Sequence, residues 1–289
     1  MSDKFFYDFA IIGFQKCGTT SIYQALKNHP EVHLNRYKED ISFFFDKHNI
    51  NTKRKKNLKG IVNPKLISYP SLLLKLIQHN PKIKIICLIR NPFDRLKSAL
   101  NMYYQKNLIT NYLLKKVEIK PPESFEYLKK NFRLDEINDF DLEFSLQPAW
   151  SFYGKQLAYV DSKHKLEINR NLLILTLSEL NNNGMKKLYN FLNITKYTEI
   201  KKINSSDTSY LNKLTYMFLR FCVFICKNKL GRLVYNKLND DFKLLISEFF
   251  SFNAKRQSAK FNLKISSKYK NQVIKDLKKS KFIDHNKII

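Results

Sequence analysis

Acidic side chains are scarce in this chain: 25 Asp and Glu stand against 52 Lys and Arg over 289 residues, a formal charge of +27 at neutral pH. Such an imbalance points to a polyanionic partner, whether nucleic acid, anionic lipid, acidic glycan or a multiply charged cofactor, or else to a lysine- and asparagine-rich composition whose charge is solvated without any partner. The excess is uneven, because residues 201–289 hold 20 basic and only 6 acidic side chains. Cysteine is also rare. Cys17, Cys87, Cys222 and Cys226 form no CxxC pair and have no histidine at zinc spacing, which argues against a disulfide framework or a structural zinc site. A reducing, cytoplasmic setting is therefore expected. Long apolar runs are missing too: the greasiest, Tyr216 to Cys226, contains Arg220 and is far shorter than the ~20 residues of a spanning helix. The opening MSDKFFYDFAIIGF lacks the basic start, apolar stretch and small-residue cleavage site of a secretory signal.

What is present is core-forming material, 44% of it hydrophobic. The apolar runs Phe9–Phe14, Lys84–Ile89 and Leu172–Leu177, with a weaker Gly60–Val62, read as buried parallel strands. Helical periodicity falls between them, at Thr20–Asn28, Ser71–His79, Pro92–Tyr104 and Met185–Leu192. Alternation of this kind implies right-handed crossovers and a parallel sheet with helices on both faces. Pro92, directly after Asn91 and a strand, fits the first position of a helix. That helix then starts at the carboxyl edge of the sheet, where open α/β folds bind ligands. From Tyr210 onward the pattern is helical, basic and free of proline.

Glycine is the scarcest punctuation, six in 289, about 2% against the ~7% usual in proteins. Two of the six, Gly13 and Gly18, fall in GFQKCGTT, between the first strand and a helix that opens on Thr19 and Thr20. A strand, a glycine loop and a helix start make a cradle for phosphate, because loop and first-turn N–H groups and the helix dipole all favour an anion. The general pattern GxxxxGK[ST] is matched in its glycines and hydroxyl, but Thr19 stands where the lysine belongs and the cation lies inside the loop at Lys16. A triphosphatase needs its lysine on the β- and γ-phosphates and a hydroxyl on magnesium. A loop lysine beside a single phosphate instead suits metal-free stabilisation of a leaving group.

Phe9 to Tyr23, FAIIGFQKCGTTSIY, resembles the 5′-phosphosulfate loop of sulfotransferases that use 3′-phosphoadenosine 5′-phosphosulfate (PAPS), especially the carbohydrate-modifying branch and its bacterial relatives. Ile85 to Leu100, IICLIRNPFDRLKSAL, is similar to the family's 3′-phosphate segment, with Arg90 and Ser98 in the gripping positions. Lys38 to Asp46, KEDISFFFD, resembles the segment that carries the catalytic base, and both Glu39 and Asp40 match its carboxylate. Trp150–Val160, Leu172–Leu192 and Asn204–Ser206 look like later family elements, the last a loop that closes over the nucleotide.

The resemblance implies an α/β, three-layer P-loop-like fold with a central parallel sheet flanked by helices, plus a helical C-terminal segment. Residues 1–209 would form the PAPS-binding catalytic core, and 210–289 a basic extension packed on it. It further implies transfer of a sulfuryl group to a hydroxyl, with Lys16 and either Glu39 or Asp40 catalytic. Gln15, Lys16, Cys17, Gly18, Thr19, Thr20, Ser21, Arg90 and Ser98 would bind the nucleotide, and no metal is implied. The expected acceptor is a carbohydrate or glycolipid hydroxyl. The basic C-terminal part suits an anionic acceptor or a peripheral contact with anionic membrane, and no specific nucleic-acid motif is visible. Three departures concern acceptor recognition. The stretch after Phe45 is short and lacks the usual tyrosine segment, Val62 and Asn63 replace residues common before Pro64, and the tail after Tyr210 matches nothing nameable. The alternatives are a nucleotide-dependent kinase with a degenerate loop and a non-catalytic basic protein that binds nucleic acid or membrane.

Overall fold

The computed structural model describes residues 7–35, 38–39, 58–105, 118–119, 144, 146–180, 182–196, 209–211, 254–256 and 264–289. Its centre is a parallel sheet of β1 (Phe9–Ile11), β2 (Val32–Leu34), β3 (Leu58–Val62), β4 (Lys84–Ile89) and β6 (Leu172–Thr176) in the order β2-β3-β1-β4-β6. Here β5 is the two-residue strand Glu118–Ile119, which pairs in parallel with β9 (Lys264–Ile265) outside that sheet. The central strand β1 aligns Ala10 with Ile61 on one side and with Ile85 on the other. Phe9, Ala10 and Ile11 are fully buried, as are Ile85 through Leu88 in β4. A strand covered on both faces has no polar side to alternate with, which is why these runs read as continuously apolar.

The helices are α1 (Thr19–Lys27), α2 (Pro70–His79), α3 (Pro92–Gln105), α4 (Tyr153–Lys163), the short α5 (Leu177–Leu180), α6 (Gly184–Leu192) and α7 (Ser267–Lys279). α1 and α3 follow β1 and β4 in the chain, as the alternation requires. Asn91 caps α3 by accepting from the N–H groups of Phe93 (3.0 Å) and Asp94 (3.2 Å), so Pro92 does open the helix. The end of α1 meets α6 where His29 lies 5.5 Å from the ring of Tyr189. Trp150, fully buried, stands edge-on to Tyr69 at 6.0 Å in the core shared by α2 and α4.

The C-terminal helix α7 is part of this core. Tyr269, Val273 and Leu277 are buried, and the Tyr269 hydroxyl donates to the Pro148 carbonyl at 2.8 Å. Asp276 caps α4 from outside it: one carboxylate oxygen accepts from the Gly154 N–H at 2.8 Å and the other from the Lys155 N–H at 2.9 Å.

The chain divides into a unit of Met1–Ile203 with Asn262–Ile289 and a unit of Asn204–Phe261. In the second, β7 (Ser209–Leu211) and β8 (Ala254–Arg256) pair antiparallel, with Tyr210 opposite Lys255. Tyr210 thus opens on a strand pair where periodicity predicted helix. Two further elements differ from the sequence reading. β2 was not foreseen, because VHL is too short to show a period, and the third apolar run ends one residue early because Leu177 starts α5.

Candidate active site

The site is built at the carboxyl edge of the sheet, beginning where β1 ends. The ladder to β4 continues past the strand, with the Ile12 N–H donating to the Ile86 carbonyl and the Phe14 N–H to the Leu88 carbonyl, each at 2.9 Å. Only glycine fits between these bonds, since a Cβ on Gly13 would stand 2.0 Å from the Leu88 nitrogen. The chain then turns through two left-handed residues, Lys16 (φ 70°) and Gly18 (φ 93°). Gly18 is the N-cap of α1 and offers no capping side chain. Ser21 and Ile22 make the first intrahelical bonds, both to the Gly18 carbonyl (3.1 and 3.3 Å). The N–H groups of Thr19 and Thr20 come before any acceptor in the helix, which is the arrangement an anion completes.

Cys17 is fully buried, and burial pushes its thiol up to about 12 even though Arg95, Arg90 and Lys16 all favour the thiolate. A protonated, enclosed thiol fills space and is no nucleophile. Of the stretch expected to hold the nucleotide, Gln15 and Thr19 are nearly buried, while Lys16, Gly18, Thr20 and Ser21 are partly open to solvent or at its edge.

The segment bearing the candidate base is tied to both the loop and the sheet. The Glu39 N–H donates to the Val62 carbonyl at the end of β3 (2.9 Å), and Glu39 too is left-handed (φ 68°). Lys38 donates to the Thr20 hydroxyl at 2.8 Å while its ammonium lies 3.3 Å from the Glu39 carboxylate. Lys65, nearly buried, approaches the other carboxylate oxygen at 3.8 Å. Glu39 is therefore held between two ammonium groups, one of which touches the first turn of α1. Asp40 lies outside the described residues, as do Asn204–Ser206.

Arg90 follows the last residue of β4, beside the glycine loop because β1 and β4 are neighbours. Tyr153 joins the two segments: its hydroxyl donates to the Arg90 carbonyl at 3.0 Å and its ring lies 4.2 Å from that of Phe14. Ser98, half-exposed, sits on α3, about 9 Å along the axis from Pro92. Lys65, Tyr153, Arg95 and Gln147 were not anticipated from sequence. Arg95 carried a usable signal, since it occupies the apolar stripe of α3 with Leu96, Ala99 and Leu100, all buried. A groove of about 1150 Å³ lined by Asp8, His79, Asn80 and Lys84 lies at the amino ends of the strands, on the opposite edge from this constellation. Size alone does not locate the chemistry.

Among the described residues no helix is long and apolar enough to cross a membrane. No curated protein sequence matches the chain. Solved structures to which it is similar include a sulfotransferase from Alicyclobacillus acidocaldarius (16% identity, 80% of this chain and 97% of that one, TM-score 0.47). Others are a mouse sulfotransferase complexed with PAP (16%, 80% and 87%, TM-score 0.39) and a sulfotransferase from Mycobacterium avium (10%, 90% and 79%, TM-score 0.40). The family model described as "Sulfotransferase domain" matches residues 7–217, and with that match spanning the glycine loop, the carboxylate segment and the Arg90 helix, the chain belongs to the PAPS-dependent sulfotransferase family and is an enzyme of that class.

Proposed function

We propose that this enzyme moves the sulfuryl group of PAPS to a carbohydrate hydroxyl, on a glycan or glycolipid, by in-line displacement. The observation that carries the reading is the meeting of Thr20, Lys38 and Glu39 at the start of α1. A general base has to stand within reach of both the acceptor hydroxyl and the phosphate-bearing loop, and the link from Glu39 through Lys38 to the Thr20 hydroxyl supports Glu39 in that role. In this scheme Glu39 takes the hydroxyl proton, with Asp40 the alternative, and Lys16 stabilises charge on the oxygen that bridges sulfur and phosphorus as their bond breaks. The amides of Gly18, Thr19 and Thr20 hold the 5′-phosphate, joined by Gln15, Cys17 and Ser21 of the same stretch. Arg90 and Ser98 grip the 3′-phosphate, where a guanidinium fork is worth more than an ammonium.

The residues present suit this donor on two counts. The N-cap of α1 supplies no side-chain cap, and Gly18 holds the left-handed conformation that turns the loop into that helix. An anionic acceptor, or an anionic membrane carrying it, is favoured by the exposed face of α7, where Lys268, Lys275 and Lys279 recur on one stripe opposite the buried Tyr269, Val273 and Leu277. Calorimetric titration with 3′-phosphoadenosine 5′-phosphate, 5′-AMP and ATP with magnesium tests the donor. Preference for the 3′-phosphorylated nucleotide supports the reading, and preference for ATP replaces it with a kinase. Release of 3′-phosphoadenosine 5′-phosphate from PAPS across a panel of glycans, glycolipids and small alcohols tests the acceptor.

A further inference from the structure

Arg95 is a guanidinium with no exposure to solvent and, among the described residues, no carboxylate in ion-pair reach. Its partners are all neutral: the side-chain oxygen of Gln147 at 2.7 Å, the Gln147 carbonyl at 2.6 Å and the Ser151 hydroxyl at 3.0 Å. Its Nε meets no acceptor among the described residues. Arginine stays ionised under every relevant condition, so a full positive charge is enclosed here without a counter-ion among the described residues. An enclosed, uncompensated charge is costly to fold. No packing need explains it, since α3 presents leucine and alanine on the same stripe.

The polar chain that begins at Arg95 ends in the glycine loop. Because a guanidinium only donates, the Gln147 amide has to turn its oxygen toward Arg95. Its NH2 therefore faces the other way and donates to the Gln15 side-chain oxygen at 3.1 Å. With that oxygen committed, the NH2 is what remains of the Gln15 amide for a ligand. Each step fixes the next, so the loop is set to offer a donor rather than an acceptor. Arg95 also heads the cations that act on the Cys17 thiol, ahead of Arg90 and Lys16, so its charge is felt at the middle of the loop.

We propose that Arg95 is a positioning residue of the anion site: through Gln147 it orients Gln15 with its N–H groups available to the 5′-phosphate end of the nucleotide, and its enclosed charge takes the bound anion as counter-ion. The inference rests on the reading that the loop holds a phosphate. It links α3, the helix that carries Ser98, to the loop that carries Lys16, so the two phosphate grips are set by one buried side chain.

Gln147 offers a test that separates positioning from plain packing. In Gln147→Glu the carboxylate still accepts from Arg95 but neutralises it and no longer donates to Gln15. In Gln147→Met the link is cut without new charge. Binding of 3′-phosphoadenosine 5′-phosphate is measured by calorimetry and unfolding by thermal melting, on the full chain. Gln147→Glu is expected to melt at or above the wild-type temperature, as a paired charge replaces an unpaired one, and yet to bind about tenfold or more weaker. Gln147→Met is expected to bind weaker by about tenfold. A residue that only packs the core would move stability and affinity in the same direction. Wild-type affinity in Gln147→Glu, or parallel loss of stability and affinity, overturns the inference while leaving the family chemistry intact. Failure of the unsubstituted enzyme to bind the nucleotide overturns the phosphate-loop reading itself, and the inference with it.

Discussion

Lys16 and Glu39 share a backbone conformation that neither side chain favours, with φ of 70° at one and 68° at the other. For a residue with a Cβ, the left-handed region costs on the order of 1 kcal/mol. The two assigned to the chemistry stand in it together. Bonds around them hold the conformation in place: the Cys17 N–H donates to the Phe14 carbonyl at 3.2 Å, and the Glu39 N–H to Val62 at 2.9 Å.

Strain of this kind makes a prediction that separates stability from turnover. Lys16→Ala and Lys16→Gly both remove the ammonium, and both should lose turnover by about a hundredfold or more. Glycine alone relieves the backbone, so Lys16→Gly should be more stable than Lys16→Ala by about 1 kcal/mol. Chemical denaturation of the two variants checks this, and equal stabilities would mean that no strain is held at Lys16.

Gly18 offers the opposite experiment. A Cβ there would adopt φ 93° and come within 2.9 Å of the Leu177 side chain. Gly18→Ala should therefore destabilise by about 1–2 kcal/mol and widen the turn that presents the Thr19 and Thr20 amides. Nucleotide affinity should fall about tenfold or more. Affinity unchanged from wild type would show that the first turn of α1 does not hold the anion.

Arg90 and Ser98 should differ in weight. Loss of a charged fork in Arg90→Ala is expected to weaken 3′-phosphoadenosine 5′-phosphate by about ten- to a hundredfold, with little effect on 5′-AMP, which lacks the 3′-phosphate. Ser98→Ala removes one neutral hydroxyl and should cost only a few-fold. An equal loss for both nucleotides in Arg90→Ala would place the arginine away from the 3′-phosphate.

Much of the fold was legible because β1, β4 and β6 carry continuous apolar runs, and periodic helices follow them in the chain. Gly13, Gly18 and Lys16 announced the loop by residue type and spacing alone. The partners of Glu39 were less visible. Lys38 is its sequence neighbour, but Lys65 arrives from the segment after β3, brought there by the pairing of β3 with β2 and the Glu39 bond to Val62. The Arg95 relay was hidden for the same reason, since Gln15 and Gln147 are far apart in sequence and meet through a side chain. Asp276 carries no signal in sequence, since only packing of α7 on α4 makes it the cap of another helix.

Asp276 should leave a mark on the pH dependence of stability. Burial pushes its carboxyl up to about 6, outweighing the hydrogen bonds from Gly154 and Lys155 that favour the charged form. The folded protein thus holds this proton more tightly than the unfolded chain, whose carboxyl titrates near 3.8. Stability from this group is full below the unfolded value and is lost as pH rises through the folded one. Relative to Asp276→Asn, the wild type should lose on the order of 2 kcal/mol between about pH 4 and 6 and then run parallel to it. Melting curves of the pair across that range read the difference. A wild type that gains stability relative to Asp276→Asn as pH rises from 4 to 6 would reverse the sign.

The capping of α4 by Asp276 also sets an order of events during synthesis. All five strands of the central sheet have been made once Thr176 emerges from the ribosome, yet the Gly154 and Lys155 amides must wait for a carboxylate made a hundred residues later. Until then the groove that receives Tyr269, Val273 and Leu277 stays open on a chain that already has most of its core. A stalled or truncated product would carry that apolar seam exposed and be recognised by chaperones and proteases as unfinished. Closure of that seam therefore depends on α7, however complete the sheet already is.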